Sequence, residues 1–247
     1  MSSHRYIFLS PHFDDVALSC GGLLHHLSRQ GRAVEVWTIM GGFPPEDIFS
    51  DFAQKMHLEW GMTGAEVVRV RRGEDNAACQ VMTAQLRHFD WLDAIYRQEL
   101  TTGLPMVSNN DELFGKSPET ELVQQIKDML LLEIPEGAKL VIPISLGNHI
   151  DHRAVRQAGE LSGRVDLYYA DYPYVLKDPN NPQNHPNEWS RSGFQLDKSD
   201  RKAWHEAVLC YASQLSMFWC DEDEVKLALR NYSAGGGGRL WQKPTTT

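Results

Sequence analysis

Three ionisable side chains, His12, Asp14 and Asp15, crowd into four positions directly after an apolar run at residues 6–9. Histidine and carboxylate groups are ordinary ligands of zinc and of other divalent metals. A histidine and an acid at this spacing on a tight turn can reach one ion, which leaves the second acid to serve as a general base. The alternative is a helix N-terminus at which Asp14 or Asp15 caps free backbone N–H groups.

A second cluster, residues 149–152, holds two histidines and an aspartate, and it also follows an apolar run of strand length, residues 139–145. In open α/β sheets, ligands bind at the carboxyl ends of the strands. Two parallel strands would therefore bring both clusters to one edge of the sheet. His12, Asp15 and His152 would then supply two imidazoles and a carboxylate, which is the ligand set of a catalytic metal site.

The elements that position these clusters are predicted from apolar runs, helical periodicity and turn residues. Main strands are expected at residues 5–10, 34–40, 139–145 and 166–170, short strands at 88–91 and 193–196, and helices at 17–30, 49–60, 64–85, 119–132, 153–161, 201–213 and 222–229. Strand, helix and strand in succession imply a crossover between parallel strands. The expected fold is one Rossmann-like, three-layer α/β/α domain over residues 1–247, with a mostly parallel sheet, the active site at the carboxyl ends of the strands, and a flexible tail at about 235–247.

Composition narrows the class of partner. The chain has 247 residues and a net charge of −9, which disfavours nucleic acid and anionic membranes because both select basic surfaces. No apolar stretch approaches the roughly 20 residues that span a bilayer, and no signal peptide is visible. The 4 cysteines form no C-x-x-C pair, which favours free thiols and a cytoplasmic location. A nucleotide-binding protein is disfavoured because no G-x-G-x-x-G follows the first strand.

Residues 11–15 and 149–152 together resemble the paired motifs of the PIG-L/LmbE-like family. Members of this family are metal-dependent de-N-acetylases of amino sugars and their conjugates. The likeness extends to residues 71–75 and 88–97, and it covers most of the chain. The paired motifs are specific to the family, whereas either motif alone would be a weaker signal.

The resemblance implies a role for each polar residue of the two motifs and for two residues between them. The implied roles are metal ligands at His12, Asp15 and His152, a general base at Asp14, an oxyanion-stabilising His149 oriented by Asp151, and sugar contacts from Arg71 and Asp93. Phe13 and Val16 depart from the proline and glutamate that are frequent in the first motif of the family. Neither position carries a ligand role, so the departure leaves the chemistry intact and the subgroup and substrate open.

The expected function is removal of an N-acetyl group from an amino sugar or a glycosylated conjugate, with release of acetate, by a zinc-dependent N-deacetylase. Fe²⁺ or another divalent ion is the alternative metal. The expected partner is a small N-acetyl sugar or sugar conjugate, with no nucleic acid and no membrane span, and family members are often homo-oligomers. Two interpretations compete: a metal-dependent amidase acting on a thiol conjugate or an acylated natural product, and a non-catalytic carbohydrate-binding homologue.

Three loops are expected at the site edge of the sheet, at residues 41–47, 101–118 and 171–191. The loops carry large apolar or aromatic side chains: Phe43, Leu104, Phe114, Tyr172, Tyr174 and Trp189. Aromatic faces suit the apolar faces of sugar rings, so we expect the loops to set the substrate range. Shortening of residues 178–188 should then raise KM or broaden specificity without changing the metal content.

Overall fold

The computed structural model describes residues 5–45, 49–177, 189–191 and 194–243. Within these ranges the strands are β1 (Arg5–Ser10), β2 (Ala33–Thr38), β3 (Gln85–His88), β4 (Lys139–Pro143), β5 (Val165–Tyr169), β6 (Ser190–Arg191) and β7 (Leu240–Gln242). The helices are α1 (Asp15–Arg29), α2 (Asp51–Trp60), α3 (Gly64–Met82), α4 (Asn110–Gly115), α5 (Thr120–Glu133), α6 (Ile150–Ser162), α7 (Lys198–Leu209), α8 (Ala212–Leu215) and α9 (Glu222–Ala234). No helix in the described part of the chain is both long and apolar enough to cross a membrane.

The strands form one sheet in the order β3-β2-β1-β4-β5-β7-β6. β1 pairs in parallel with both β2 and β4, and β3 and β5 extend this parallel block on either side. β7 and β6 add an antiparallel edge, so the predicted mostly parallel sheet is confirmed. From β1 the chain continues toward β2, and from β4 it continues in the opposite direction toward β5. The crevice between β1 and β4 is therefore the switch point at which ligands bind in such sheets.

The central strands are buried on both faces, as continuous apolar runs in a parallel sheet predict. In β1, Ile7 and Leu9 belong to an apolar cluster that includes residues of α5 and α6, whereas Phe8 belongs to a second cluster with residues of α1 and α3. Successive side chains of a strand point to opposite faces, so the two clusters lie against opposite faces of β1. Helices cover both faces, which gives the predicted three-layer arrangement.

Four predicted elements differ from the structure. The helix expected at 201–213 is divided into α7 and α8. The strand expected at residues 88–91 ends at His88 and is β3. The strand expected at 193–196 is wrong, because residues 194–196 are irregular, and residue 193 lies outside the described part. Within the expected flexible tail the structure forms β7, where Leu240 and Trp241 are 0% and 6% exposed and pair with β5. Burial of these two side chains against the sheet outweighs the turn-rich composition around them. Residues 244–247 lie outside the described part.

Candidate active site

The loop after β1 is held as a tight turn by its own polar groups. The Ser10 hydroxyl donates a hydrogen bond to the His12 carbonyl oxygen at 2.6 Å, and the His12 backbone N–H donates to the Asp15 carboxylate at 2.7 Å. Asp14 occupies the N-cap position of α1 but makes no side-chain capping bond. Its carboxylate lies instead 3.2 Å from the Arg71 guanidinium. The capping alternative is therefore wrong for Asp14.

The loop after β4 is strained into a turn that presents the second motif. Ser145, Gly147 and Asn148 have φ values of 65°, 81° and 63°, in the left-handed region that few non-glycine residues adopt. A Cβ atom on Gly147 would overlap the ring of Tyr174, so this position requires glycine for space as well as for conformation. The Ser145 hydroxyl donates to the His152 carbonyl oxygen at 2.7 Å and ties the loop to the first turn of α6.

The predicted metal ligands His12, Asp15 and His152 lie together at the carboxyl ends of β1 and β4, and all three are buried. One Asp15 oxygen lies 3.5 Å from His12 Nδ1, and the other lies 3.3 Å from His152 Nε2. The centroids of the two imidazole rings are 5.4 Å apart. One carboxylate therefore faces an imidazole from each of the two motifs.

Two further sets of donor atoms share His12. One nitrogen from each of His12, His149 and His152 lies within 4.8 Å of the other two, and single donor atoms of His12, Asp93 and Asp151 satisfy the same limit. The ring centroids of His12 and His149 are 4.8 Å apart. The fold thus brings the predicted oxyanion-stabilising histidine and the predicted sugar-binding aspartate to the same point as the predicted ligands.

A buried carboxylate lies behind His12. Asp151 Oδ2 is 3.0 Å from His12 Nε2 and accepts a hydrogen bond from the Ala94 N–H at 3.0 Å, and Arg97 Nη2 lies 2.7 Å from the other oxygen. The resemblance assigns this carboxylate to His149, but in the structure the link to that ring runs through the Asp151 backbone N–H, which donates to Nδ1 at 3.2 Å. The Asp151 carboxylate therefore orients His12, and Arg97 balances its charge.

His152 has a comparable partner in Asp171, which the sequence places only in a loop. Asp171 is 1% exposed, and its Oδ1 lies 2.7 Å from His152 Nδ1. The other Asp171 oxygen accepts a hydrogen bond from the Leu146 N–H at 3.0 Å. A carboxylate that holds one ring nitrogen fixes the tautomer and leaves the other nitrogen, Nε2, facing Asp15. The available signal is positional, because Asp171 follows β5 as the first motif follows β1.

Burial and the surrounding charges give the three imidazoles different pKa values. Burial lowers the pKa of His12, but Asp93 and the neighbouring carboxylates outweigh burial and raise the pKa well above its ordinary value. Burial is likewise outweighed at His152, where Asp15 and its neighbours raise the pKa to about 9. At His149 burial dominates, with help from the charge on His12, and the pKa lies well below its ordinary value. His149 is therefore the neutral imidazole of the group.

The pKa values of the two adjacent aspartates, Asp14 and Asp15, also shift in opposite directions. Burial by itself raises the pKa of both carboxyl groups. At Asp15 the charges and hydrogen bonds of His152 and His12 outweigh burial, so the pKa is well below its ordinary value. At Asp14 burial outweighs the Arg71 guanidinium, so the pKa is raised. A permanent anion suits a ligand, whereas a carboxyl group with a raised pKa suits proton transfer.

Four polar residues of the two motifs form the floor of a cavity of about 190 Å³: His12, Asp14, Asp15 and His149. Its walls come from parts of the chain that no sequence motif marks. Phe52, Met56 and Trp60 of α2 line one wall. Met217 and Phe218, which follow α8, line another. Their signal in the sequence is a helical apolar stripe for α2 and an isolated apolar pair after α8, and both patterns are equally typical of core residues.

Gln214 is a polar wall residue that the sequence does not single out. It is 5% exposed and lines the cavity. Its Nε2 donates to the Ser213 hydroxyl at 3.0 Å, and the Ser213 N–H and hydroxyl donate to the two oxygens of Glu74 at 2.7 and 2.6 Å. Within the described residues the Gln214 Oε1 accepts no hydrogen bond. Since Glu74 is one turn from Arg71 on α3, one helix positions both Arg71 and Gln214.

Of the two adjacent arginines on α3, only Arg71 lines the cavity. Arg71 is 7% exposed, whereas Arg72 donates to the Gly41 carbonyl oxygen at 2.6 Å. Asp93 also lines the cavity, and its Oδ2 lies 3.6 Å from His12 Nε2. Both predicted sugar-binding residues therefore reach the same space as the two motifs.

The three predicted loops contribute unequally to the lining of the cavity. Residues 101–118 contain α4, whose Phe114 lines the cavity together with Tyr172 and Tyr174 of the third loop. Among the described residues, the other predicted side chains, Phe43, Leu104 and Trp189, do not line the cavity. Residues 46–47 and 178–188 lie outside the described part, and so does the shortening predicted for the second of these segments.

Buried imidazoles and carboxylates at the carboxyl edge of a parallel sheet, on the floor of a small cavity, are typical of an α/β enzyme with a metal centre. The family described as GlcNAc-PI de-N-acetylase, or PIG-L, matches residues 7–161. The chain belongs to this family of deacetylases.

Two relatives are named 2′-N-acetylparomamine deacetylase. The one from Niallia circulans is 28% identical over 244 residues, which is 90% of this chain and 85% of that protein. The one from Streptomyces fradiae is 32% identical over 179 residues, which is 69% of this chain and 58% of that protein. Among solved structures, the zinc-inhibited form of teicoplanin deacetylase Orf2 is similar, with a TM-score of 0.80 at 25% identity over 98% of this chain and 100% of that chain.

Proposed function

We propose that this protein is a metal-dependent N-deacetylase that hydrolyses the acetamide of an amino sugar conjugate. The observation that carries the proposal is the grouping of His12, Asp15 and His152. Of these, His12 and Asp15 lie beside Asp14 and His149 on the floor of one cavity. The relatives named as deacetylases of N-acetylparomamine and of teicoplanin support an N-acylated amino sugar as substrate. In the reaction a C–O bond forms from water, the amide C–N bond breaks, and acetate and a free amine leave.

Zinc is the proposed ion, and His12, Asp15 and His152 are its proposed ligands. Two imidazoles and a carboxylate are a common catalytic zinc set that leaves positions open. The electrostatics support a cation here, because the carboxylates raise the pKa of both imidazoles and so favour positive charge at this point. Asp151 and Asp171 support the orientation of the two rings. A bound zinc ion would polarise the acetyl carbonyl and lower the pKa of a water molecule.

Asp14 is the proposed general base. Arg71 holds one Asp14 oxygen at 3.2 Å, which leaves the other oxygen for the attacking water. Burial raises the pKa of Asp14, so its carboxylate is a stronger base than an ordinary carboxylate and holds the proton that it takes from water more firmly. Asp14 would therefore both accept the proton of the water and return a proton later in the same turnover.

His149 is proposed to stabilise the oxyanion as a neutral donor. Its Nδ1 accepts the Asp151 N–H, which places the ring proton on Nε2, and burial lowers its pKa. One well-placed donor to a developing oxyanion contributes roughly 3–4 kcal/mol. A neutral imidazole that keeps this N–H has no further proton to transfer. The proton for the leaving amine is therefore assigned to Asp14.

Arg71, Asp93 and Gln214 are the proposed contacts to the sugar hydroxyls. They line the cavity beside the floor, and they offer a guanidinium, a carboxylate and an amide. Mixed donors and acceptors of this kind, set among aromatic side chains, fix the orientation of a polar ligand. Arg71 and Gln214 are held by the same helix, so their relative position would change little on binding.

Metal removal tests the proposal. Dialysis against a chelator should abolish acetate release from glycosides of N-acetylglucosamine, and added zinc should restore it, with magnesium as the matched control. Elemental analysis of the untreated protein identifies the resident ion. A panel of N-acyl amines that lack a sugar separates this function from the competing amidase. Undiminished turnover by metal-free protein would falsify the assignment.

A further inference from the structure

The volume of the cavity limits what it encloses. It measures about 190 Å³. Pockets that enclose whole drug-sized ligands are larger, about 300–1,000 Å³. The cavity is therefore too small to enclose a whole sugar conjugate, so with the sugar on its floor any group joined to that sugar lies at the mouth.

Four large apolar side chains that line the cavity and are partly exposed form what we call the apolar rim: Trp60, Phe114, Met217 and Phe218. Met217 and Phe218 are 50% and 40% exposed, although both side chains are large and apolar. Trp60 and Phe114 are half-buried. Exposed apolar surface costs free energy in water, and where it is continuous with a ligand cavity it marks a place that a ligand covers.

One positive charge, that of Lys177, lies beside the apolar rim. Lys177 Nζ lies 6.0 Å from the ring centroid of Phe114 and 5.6 Å from that of Tyr174. The acids that line the cavity belong to its floor, where they face imidazoles or a guanidinium. An ammonium group next to the rim repels a cationic group at the mouth and accepts a neutral one.

We propose that the apolar rim is an aglycone subsite. The substrate is then an N-acetylated amino sugar joined to an aromatic or alkyl group, rather than to further cationic sugars. The inference rests on the proposed function, because it assumes that the sugar ring occupies the floor. Apolar contact is non-directional, so the subsite selects for apolar area at the mouth rather than for one aglycone structure.

Three β-glycosides of N-acetylglucosamine test the subsite: the methyl, phenyl and 2-aminoethyl glycosides. We expect kcat/KM for the phenyl glycoside to exceed that for the methyl glycoside about tenfold, mainly through KM, because the ring is buried against the rim. The aminoethyl glycoside should be the poorest of the three. In Lys177→Gln the kcat/KM for the aminoethyl glycoside should move closer to that for the methyl glycoside, because the repelling charge is gone.

Variants connect the preference to the rim. In the double variant Met217→Ser with Phe218→Ser, the ratio of kcat/KM for the phenyl and methyl glycosides should fall to near one. Leu227→Ser is the matched control, because Leu227 is 56% exposed on α9 and does not line the cavity. A second measurement needs no turnover: calorimetry should show that phenyl glucosaminide binds about tenfold more tightly than methyl glucosaminide, and that the double variant loses this difference.

The outcomes separate the subsite from the deacetylase proposal. Equal binding of the two glucosaminides by the unmodified protein would overturn the subsite, and so would a phenyl preference that survives in the double variant. If none of the three glycosides is deacetylated but phenyl glucosaminide still binds more tightly through the rim, the deacetylase proposal fails and the subsite stands.

Discussion

At and behind the floor of the cavity, the two imidazoles that face Asp15 each lie against a buried carboxylate, whereas at the apolar rim large side chains stand half exposed to solvent. The supporting carboxylates of the floor are themselves held by backbone N–H groups. The floor is built largely by loops at the carboxyl ends of the parallel strands. The rim is built by α2, α4 and the segment after α8, which lie outside the sheet.

This difference separates chemistry from selection. Groups that hold an ion or move a proton act only within a narrow range of distances, so each must be fixed by further contacts. Apolar contacts are non-directional and tolerate displacement. We therefore expect changes on the floor to alter metal affinity or kcat, and changes in the walls to alter KM and substrate range. The four predictions below test this division.

The largest effect is expected where two adjacent acids divide two roles. Asp14→Ala should keep the metal and lose turnover by roughly 10²–10⁴-fold, the usual contribution of a general base. Asp15→Ala should lose the metal, because Asp15 contacts both facing imidazoles. Elemental analysis and acetate release measure the two outcomes. If both variants keep metal and activity, the roles of the two acids are wrong.

The second-largest effect is expected at Asp171, the carboxylate behind His152, whose loss should weaken metal binding. Asp171→Asn should weaken zinc binding by about 10–100-fold, the usual cost of losing such a partner. Asp166→Asn is the matched control, because Asp166 pairs with Lys139 at the other end of the sheet. Competition with a chromogenic chelator measures both affinities. An unchanged affinity in Asp171→Asn would contradict its orienting role.

Arg71, a residue of the cavity wall, should affect the pH dependence of the reaction because it lies against Asp14 on the floor. Asp14 acts as a base only when deprotonated, so activity should fall as the pH drops through its pKa. Burial raises this pKa and Arg71 opposes the rise. Arg71→Met should therefore move the acid limb of kcat/KM to higher pH by about one unit. Arg72→Gln serves as the control, since that side chain binds Gly41. An acid limb that stays in place would exclude Asp14 as the titrating group.

The smallest effect is expected at Gln214. Gln214→Leu should raise KM about threefold to tenfold with little change in kcat, because one hydrogen bond contributes about 0.5–1.5 kcal/mol. A series of deoxy analogues of the substrate identifies the hydroxyl involved. For the analogue that lacks this hydroxyl, the variant and the unmodified protein should have the same KM. If every analogue preserves the full difference, Gln214 acts on the fold of the wall and not on the sugar.

Much of the floor was predictable because its signals are local. The apolar runs of β1 and β4 and the polar residues that follow them are contiguous in the chain, and the strand–helix alternation implies parallel pairing. The partner of the Asp151 carboxylate was not predictable. Its direction depends on the Ala94 N–H and on Arg97, which reach it from a different segment. Gln214 and the apolar rim carry no motif, so their spacing resembles that of ordinary core residues.

The sequence by itself determined the main strands, the two motifs and the grouping of two histidines with two acids. These features are written in neighbouring residues, where periodicity and spacing constrain the backbone directly. Only the tertiary structure decided which carboxylate supports which imidazole, which of Arg71 and Arg72 enters the cavity, and which apolar side chains form its rim. The physical reason is that these contacts join segments far apart in the chain, and their geometry follows from how helices pack on the sheet rather than from any local pattern.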